Sequence, residues 1–362
     1  MKLRTIVREA ILDIAAGTTR AALFALVLAF GIAVPAGADI ATIASLERQA
    51  SQYRLSGGTT LVYQAKAGID GVACDSLRRA PGVVAAGAIR QRGSAEIAAT
   101  LPAQEIPTFE ISIGFGGFAA LGGPHADEGV LVSQDLAETL GASPGQKLPL
   151  TDGTPVVGAV YSYPADGRLP GYGYALLIPA DPRSAFDECW VEAWPVTGTL
   201  NSLLPTTLRP GAVPSGNAGA QGPRLQQLNS SLGAHFDGQS LYGGRVTRFA
   251  PELVLVVGLG LGFTAVLRRK LELASARHSG VSPVAQALQM CVESLVWALA
   301  GVCLAVPALV LLASVIGDGS SAALPLAAVR VVAGAVPAVV LGALGATLCV
   351  RERQLFRYFK AR

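Results

Sequence analysis

Histidines, cysteines and a few isolated carboxylates are the residues of this chain whose chemistry could be put to work. His125 stands two residues from Asp127, and His235 two residues from Asp237. Either pair could in principle serve as a general base or metal ligand. No other His or Cys lies at metal-ligand spacing from them, and there is no G-x-S-x-G nucleophile elbow. Solvated surface pairs are the reading these spacings support, and His278 stands alone. The segment GASPGQK at 141–147 has the residue types of a phosphate loop but not the G-x-x-x-x-G-K-[ST] spacing. Any energy from nucleotide hydrolysis would have to come from another chain. Glu293 is a lone acid inside an apolar run, where a carboxylate is costly enough to invite a proton-relay role. Near an interface, a helix-to-helix bond to a base such as Arg268 or Arg269 is the reading preferred here. Arg330 lies towards the outer end of another apolar run, from which it can snorkel to the interface as an anchor.

The elements that must position these residues follow from composition. The chain is 51% hydrophobic and only 15% charged, too apolar for an ordinary soluble protein of this length. Four segments approach or exceed the roughly 20 apolar residues that cross a bilayer: 21–38, 249–267, 283–316 and 322–350. Residues 39–248 are mixed in composition and read as one water-exposed region. The fold class expected is an α-helical membrane protein with four transmembrane helices, plus a large α+β extracytoplasmic domain between the first and second.

Flanking charge sets the orientation. Lys2, Arg4, Arg8 and Arg20 precede the first span. Arg268, Arg269, Lys270 and Arg277 lie between the second and third, and Arg351, Arg353, Arg357, Lys360 and Arg362 follow the fourth. Against them stand Glu9, Asp13, Glu272 and Glu352, while the loop 317–321 holds Asp318 and no cation. Both termini are expected in the cytosol of a bacterial cell, with a basic tail at 351–362, and the net charge of +3 conceals a basic interior and a mildly acidic exterior. Anionic lipid accounts for the basic side, and nucleic acid is not invoked. The basic start, apolar run and Ala36-Gly37-Ala38 also fit a cleavable signal peptide. The spacing of Leu3, Ile6, Val7, Ala10, Ile11 and Ile14 instead makes 1–20 an amphipathic helix on the inner membrane face, which favours a retained anchor. Cleavage would leave three spans with the same interior face.

Within the exterior region, 59–65 (TTLVYQA), 71–79 and 82–90 (GVVAAGAIR) read as strand, helix and strand. Residues 129–163 read as a small β-rich subdomain: a strand at 129–133, a helix at 134–140, and a hairpin at 145–163 turning at Asp152-Gly153. Residues 209–222 read as a mobile linker. Cys291, Cys303 and Cys349 fall in spans as packing residues. Cys74 and Cys189 are the two cysteines outside, where an oxidising compartment permits one disulfide; two unpaired buried thiols are the other reading. A bridge closing so long a loop would stabilise the domain by roughly 4 to 5 kcal/mol. Gly258, Gly260 and Gly262, with Gly342 and Gly345, read as helix-packing glycines rather than a nucleotide fingerprint.

Residues 268–282 form a cytosolic elbow between the second and third spans. Ser282 and Pro283 make an N-cap and first-turn pair after a turn at Gly280. The short helix before it carries Leu271, Leu273 and Ala274 beside Arg268, Arg269 and Arg277, an apolar and basic protrusion that needs a partner. The positions Arg268, Arg269, Glu272, Leu273, Ala274, Arg277, Gly280 and Ser282 resemble the elbow of the FtsX-like, MacB-type (type VII) ABC transporter permeases. His278 and Ser279 stand where that family often has Ala and Leu. Glu293 and Gly301 fall where it places Glu and Gly, the four-span layout matches, and GVLVSQDLAETLGASPGQKLPL resembles its external β-subdomain.

The resemblance implies a non-catalytic permease subunit that binds no cofactor itself. ATP and Mg would belong to a separate cytosolic ABC ATPase docked on the elbow, with His278 among the contacts. It further implies a second permease copy or a homologous permease as partner. Family members export or extrude peptides, antibiotics or lipophilic molecules. Other members transmit motion to an external protein such as a cell-wall hydrolase. A membrane-anchored receptor or scaffold without an ATPase is the remaining alternative.

Overall fold

The computed structural model describes residues 3–122, 129–196, 198–212, 222–317 and 323–350. The His125 and Asp127 pair, most of the 317–321 loop and of the 209–222 linker, and the 351–362 tail lie outside the described residues. The chain divides into a helical unit, Met1–Arg48 with Gly238–Arg362, and a sheet unit, Gln49–Asp237. The helices are α1 (Leu3–Ala15), α2 (Ala21–Leu55), α3 (Gly71–Ser76), α4 (Gln134–Leu140), α5 (Thr199–Leu203), α6 (Gly238–Gly244), α7 (Ala250–Leu267), α8 (Lys270–His278), α9 (Pro283–Ile316), α10 (Ala323–Val332) and α11 (Ala335–Cys349). The strands are β1 (Thr60–Asp70), β2 (Val83–Gln91), β3 (Glu96–Ile97), β4 (Glu105–Ile106), β5 (Thr108–Ile111), β6 (Val130–Ser133), β7 (Val157–Tyr161), β8 (Leu176–Pro179), β9 (Ala185–Ala193) and β10 (Arg224–Gln227).

Four stretches are long and apolar enough to cross a membrane: Ala21–Leu55, Val246–Leu267, Pro283–Ile316 and Ala323–Cys349. Two depart from the sequence expectation. The first does not end at Ala38 but runs on as helix to Leu55. Asp39 lowers the apolarity without breaking the helical spacing, since Ile40, Ile43 and Ala44 remain buried at intervals of three and one. The fourth is broken between α10 and α11. Pro337 has no N–H to give the Ala333 carbonyl, and Gly334 sits at the break.

The spans pack through small residues. A Cβ on Gly262 would collide with the Val339 carbonyl, and one on Gly342 with the Leu259 carbonyl. A Cβ on Gly258 would lie 3.0 Å from Ala338 Cβ. These three glycines bring α7 and α11 together backbone to backbone. Gly260 and Gly345, expected in the same role, face open space instead.

In the sheet unit the strand order is β10-β1-β9-β2-β5-β8-β6-β7, with β3 and β4 as a separate pair. The first five strands pair antiparallel, while β5 with β8 and β6 with β7 are parallel. Alternation of side chains along the strands feeds separate cores, two of them on β1, β2 and β9 and a third on β6, β7 and β8. Of the first two, Val62, Ala85 and Trp190 face one, whereas Tyr63, Ala86, Cys189 and Val191 face the other. Strand, helix and strand occur near 59–90 as β1, α3 and β2, with β9 inserted between the two strands. The segment 129–163 supplies β6 and β7, which form one edge of the eight-stranded sheet, and its Val130, Leu136, Leu148 and Val157 share a core of their own. Its hairpin is reduced to isolated bridges, Lys147 to Val156 and Leu150 to Gly153. Pro149 and Pro155 have no N–H to extend that ladder. The chain beyond then pairs parallel with β6 through the β6-α4-β7 crossover.

Cys74 on α3 and Cys189 on β9 are joined by a disulfide spanning 115 residues. Within the sheet unit, the C-terminal end of α2 is gripped by side chains. Arg168 donates to the carbonyls of Leu55 (2.8 Å) and Ala120, and Asn229 Nδ2 donates to Ser56 O at 3.0 Å.

Candidate functional site

The elbow is built by three local devices. Arg268 and Arg269 form the turn that separates α8 from α7. At the other end of α8, Gly280 has φ of 92°, and the N–H groups of Gly280 and Val281 donate to the carbonyls of Arg277 and Ala276. This 5→2 and 6→1 pair is a Schellman stop. Ser282 Oγ then accepts from Ala285 N at 3.3 Å, and Pro283 occupies the first turn of α9, so the next helix starts where its cap predicts.

The two faces of α8 do different things. Leu273 and Ala274 are buried with Val266, Met290, Ala343 and Ala346. The apolar pair expected to await a partner is thus covered by the chain's own α7, α9 and α11. Arg277 is equally committed. Its guanidinium donates to Gln286 Oε1 (2.7 Å), to the Thr347 carbonyl (2.9 Å) and to the Val350 carbonyl, capping the C-terminal carbonyls of α11. Gln286 closes the ring by donating to Leu273 O at 2.8 Å. Arg268, Glu272, Ser275 and Ser279 are exposed at spacings of four, three and four, which makes one polar stripe. His278 and Ser282 are exposed beside it.

Arg269 is the hub of the elbow end. It donates to Glu272 at 2.8 Å, to Glu293 at 2.7 Å and to Asp13 at 2.8 Å, which links α1, α8 and α9. Gln289 donates to the same Asp13 and Glu293 carboxylates at 3.0 and 3.2 Å. Burial pulls the Arg269 pKa down, but the Glu272 and Asp13 carboxylates outweigh it and raise it above the ordinary value. Arg269 therefore stays charged. Of the two bases named as partners for Glu293, Arg269 makes the pair.

A second buried charge cluster lies in the helical unit, and sequence reading missed it. Asp39 of α2 is fully buried and pairs with Arg245 Nε at 2.9 Å and with Arg330 of α10 at 3.2 Å. The Arg245 guanidinium also lies 3.7 Å from the Tyr242 ring centroid, a stacking that favours the cation. Arg330, expected only to snorkel, is an ion-pair partner. Asp39 marks an apparent span end in the sequence, and nothing in its neighbours points to residues more than 200 positions away.

His235 and Asp237 are exposed. Among the described residues no group of three or more His, Cys, Asp or Glu is placed to hold a metal ion.

Compared with protein-family models and with curated proteins, the sequence finds no match. Among solved structures, the chain is similar to the periplasmic region of MacB from Actinobacillus actinomycetemcomitans, at 11% identity and a TM-score of 0.34. The match covers 48% of this chain and 91% of that one.

Proposed function

We propose that the chain is the permease subunit of an ABC transporter, powered by a separate cytosolic ATPase that binds the polar stripe of α8. In this reading the chain catalyses nothing itself, and ATP and Mg sit on the partner. The observation that supports it is the Arg269 hub. A push on α8 is delivered through one guanidinium to the amphipathic helix α1 and to the long helix α9 together. The elbow is thereby fastened to the bundle on one face and presented on the other. The helices then act as levers on an extracytoplasmic sheet unit, with a second permease copy completing the assembly. Export or extrusion of a peptide, antibiotic or lipophilic molecule is the activity assigned.

The geometry also decides which variants test docking. Charge reversal at Arg269 or Arg277 would unfasten the elbow from its own helices. Arg268→Glu combined with Ser275→Tyr alters the exposed stripe alone. The full chain, purified from membranes of its host, is expected to retain an ATP-hydrolysing subunit detectable by mass spectrometry. The double variant should lose that subunit while keeping an unchanged unfolding midpoint. Absence of an ATPase from the wild-type complex, or full retention by the double variant, overturns the reading.

A further inference from the structure

A cleft of about 420 Å³ opens in the sheet unit where β2, β5 and β9 meet the loop before Tyr172. That volume is in the range of small-molecule sites. Its apolar wall is aromatic: the Phe109 and Tyr172 ring centroids are 4.8 Å apart, and Trp190 stacks edge-on behind Tyr172 at 5.2 Å. Pro170 adds to this side.

Its polar wall holds two carboxylates. Glu188 accepts from Trp190 Nε1 at 2.7 Å, Tyr172 Oη at 3.1 Å and Gln64 Nε2 at 2.8 Å. Asp187 accepts from the backbone N–H groups of Ala67 and Gln91 at 2.8 and 3.3 Å. All these donors are neutral, so they orient the carboxylates without neutralising them. Burial and then the Glu188 charge push the Tyr172 pKa up, which keeps its hydroxyl protonated and donating. Arg90 is the cation in the wall, and it is already held by Glu110 at 2.6 Å and by the Ala185 carbonyl at 2.9 Å. Counting Arg90, Asp187 and Glu188, the lining keeps one negative charge in excess beside aromatic faces.

We propose that this cleft binds an organic ammonium. Its charged nitrogen would face Asp187 and Glu188, and its apolar body would lie against Phe109, Tyr172 and Pro170. Ring faces and carboxylates both attract a cation, and a weakly hydrated alkylammonium gives up little solvation on entering such a site. The carboxylates repel anions, and the rings add an attraction for an organic cation that a hydrated metal ion does not gain.

The proposal is tested on the full-length chain in detergent by calorimetric titration with benzyltrimethylammonium, against neutral N-benzylacetamide and anionic phenylacetate. Saturable binding of the cation is expected, with the other two binding at least tenfold more weakly. Asp187→Asn and Glu188→Gln should each weaken cation binding about fivefold. Added salt should weaken it in the unmodified protein, a readout that holds even if a variant fails to fold. No saturation by about 10 mM, equal binding of N-benzylacetamide, or affinity indifferent to both salt and either variant overturns the site. Tighter binding of phenylacetate would assign the cleft to Arg90 and refute the proposal. Binding is read on this chain alone, so its failure leaves the ATPase proposal standing.

Discussion

The two charge clusters of the helical unit are near mirror images in sign. At the elbow one arginine, Arg269, is shared by three carboxylates, Asp13, Glu272 and Glu293. In the other cluster one carboxylate, Asp39, is shared by two arginines, Arg245 and Arg330. The difference lies in what surplus charge can do. A surplus carboxylate can accept a proton when its partner moves away, whereas a guanidinium cannot lose one at any physiological pH. The elbow cluster therefore tolerates rearrangement, and the Asp39 cluster resists it.

The largest expected effect is at Asp39. Asp39→Asn strands two cations, one of them buried, and should destabilise the protein by about 3 to 5 kcal/mol, seen as a lowered unfolding midpoint that acid does not restore. Arg269→Gln is next, at about 3 kcal/mol near neutral pH. Its loss should shrink as pH falls below neutral. There the folded variant takes up protons that relieve the stranded carboxylates, and proton uptake on folding raises stability as pH drops. If the two variants respond alike to acid, the contrast between the clusters is lost. Smallest is Arg330→Gln, at no more than about 1 kcal/mol, because the Arg330 side chain is 44% exposed. A cost equal to that of Asp39→Asn would mean that Arg330, and not Arg245, carries the pair.

Much of this was legible in the sequence because it is local. The Ser282-Pro283 start of α9, the Gly280 stop and the run β6-α4 all follow from cap and turn chemistry acting over a few residues. The pairing of Glu293 was half legible, since a carboxylate in an apolar run must find a base nearby, and Arg269 is on the adjoining elbow. Gln289 could have been found by noting that it stands four residues before Glu293 on α9, whereas nothing near Glu293 points to Asp13. The fate of Leu273 and Ala274 could not, because an apolar pair on a short helix looks the same whether its cover is a partner or its own bundle. The end of α2 was misplaced for a related reason: hydropathy reports surroundings, and helical geometry continues through Asp39 regardless.

The bridge between Cys74 and Cys189 carries information of a different kind. A disulfide forms where oxidant reaches the folding chain and is refused in a reducing cytosol. Under the permease proposal, the sheet unit would keep in this bridge a permanent chemical record of the side of the membrane on which it folded. Under that proposal, a molecule inserted the wrong way round would have the same sequence and the same strands, yet two free thiols.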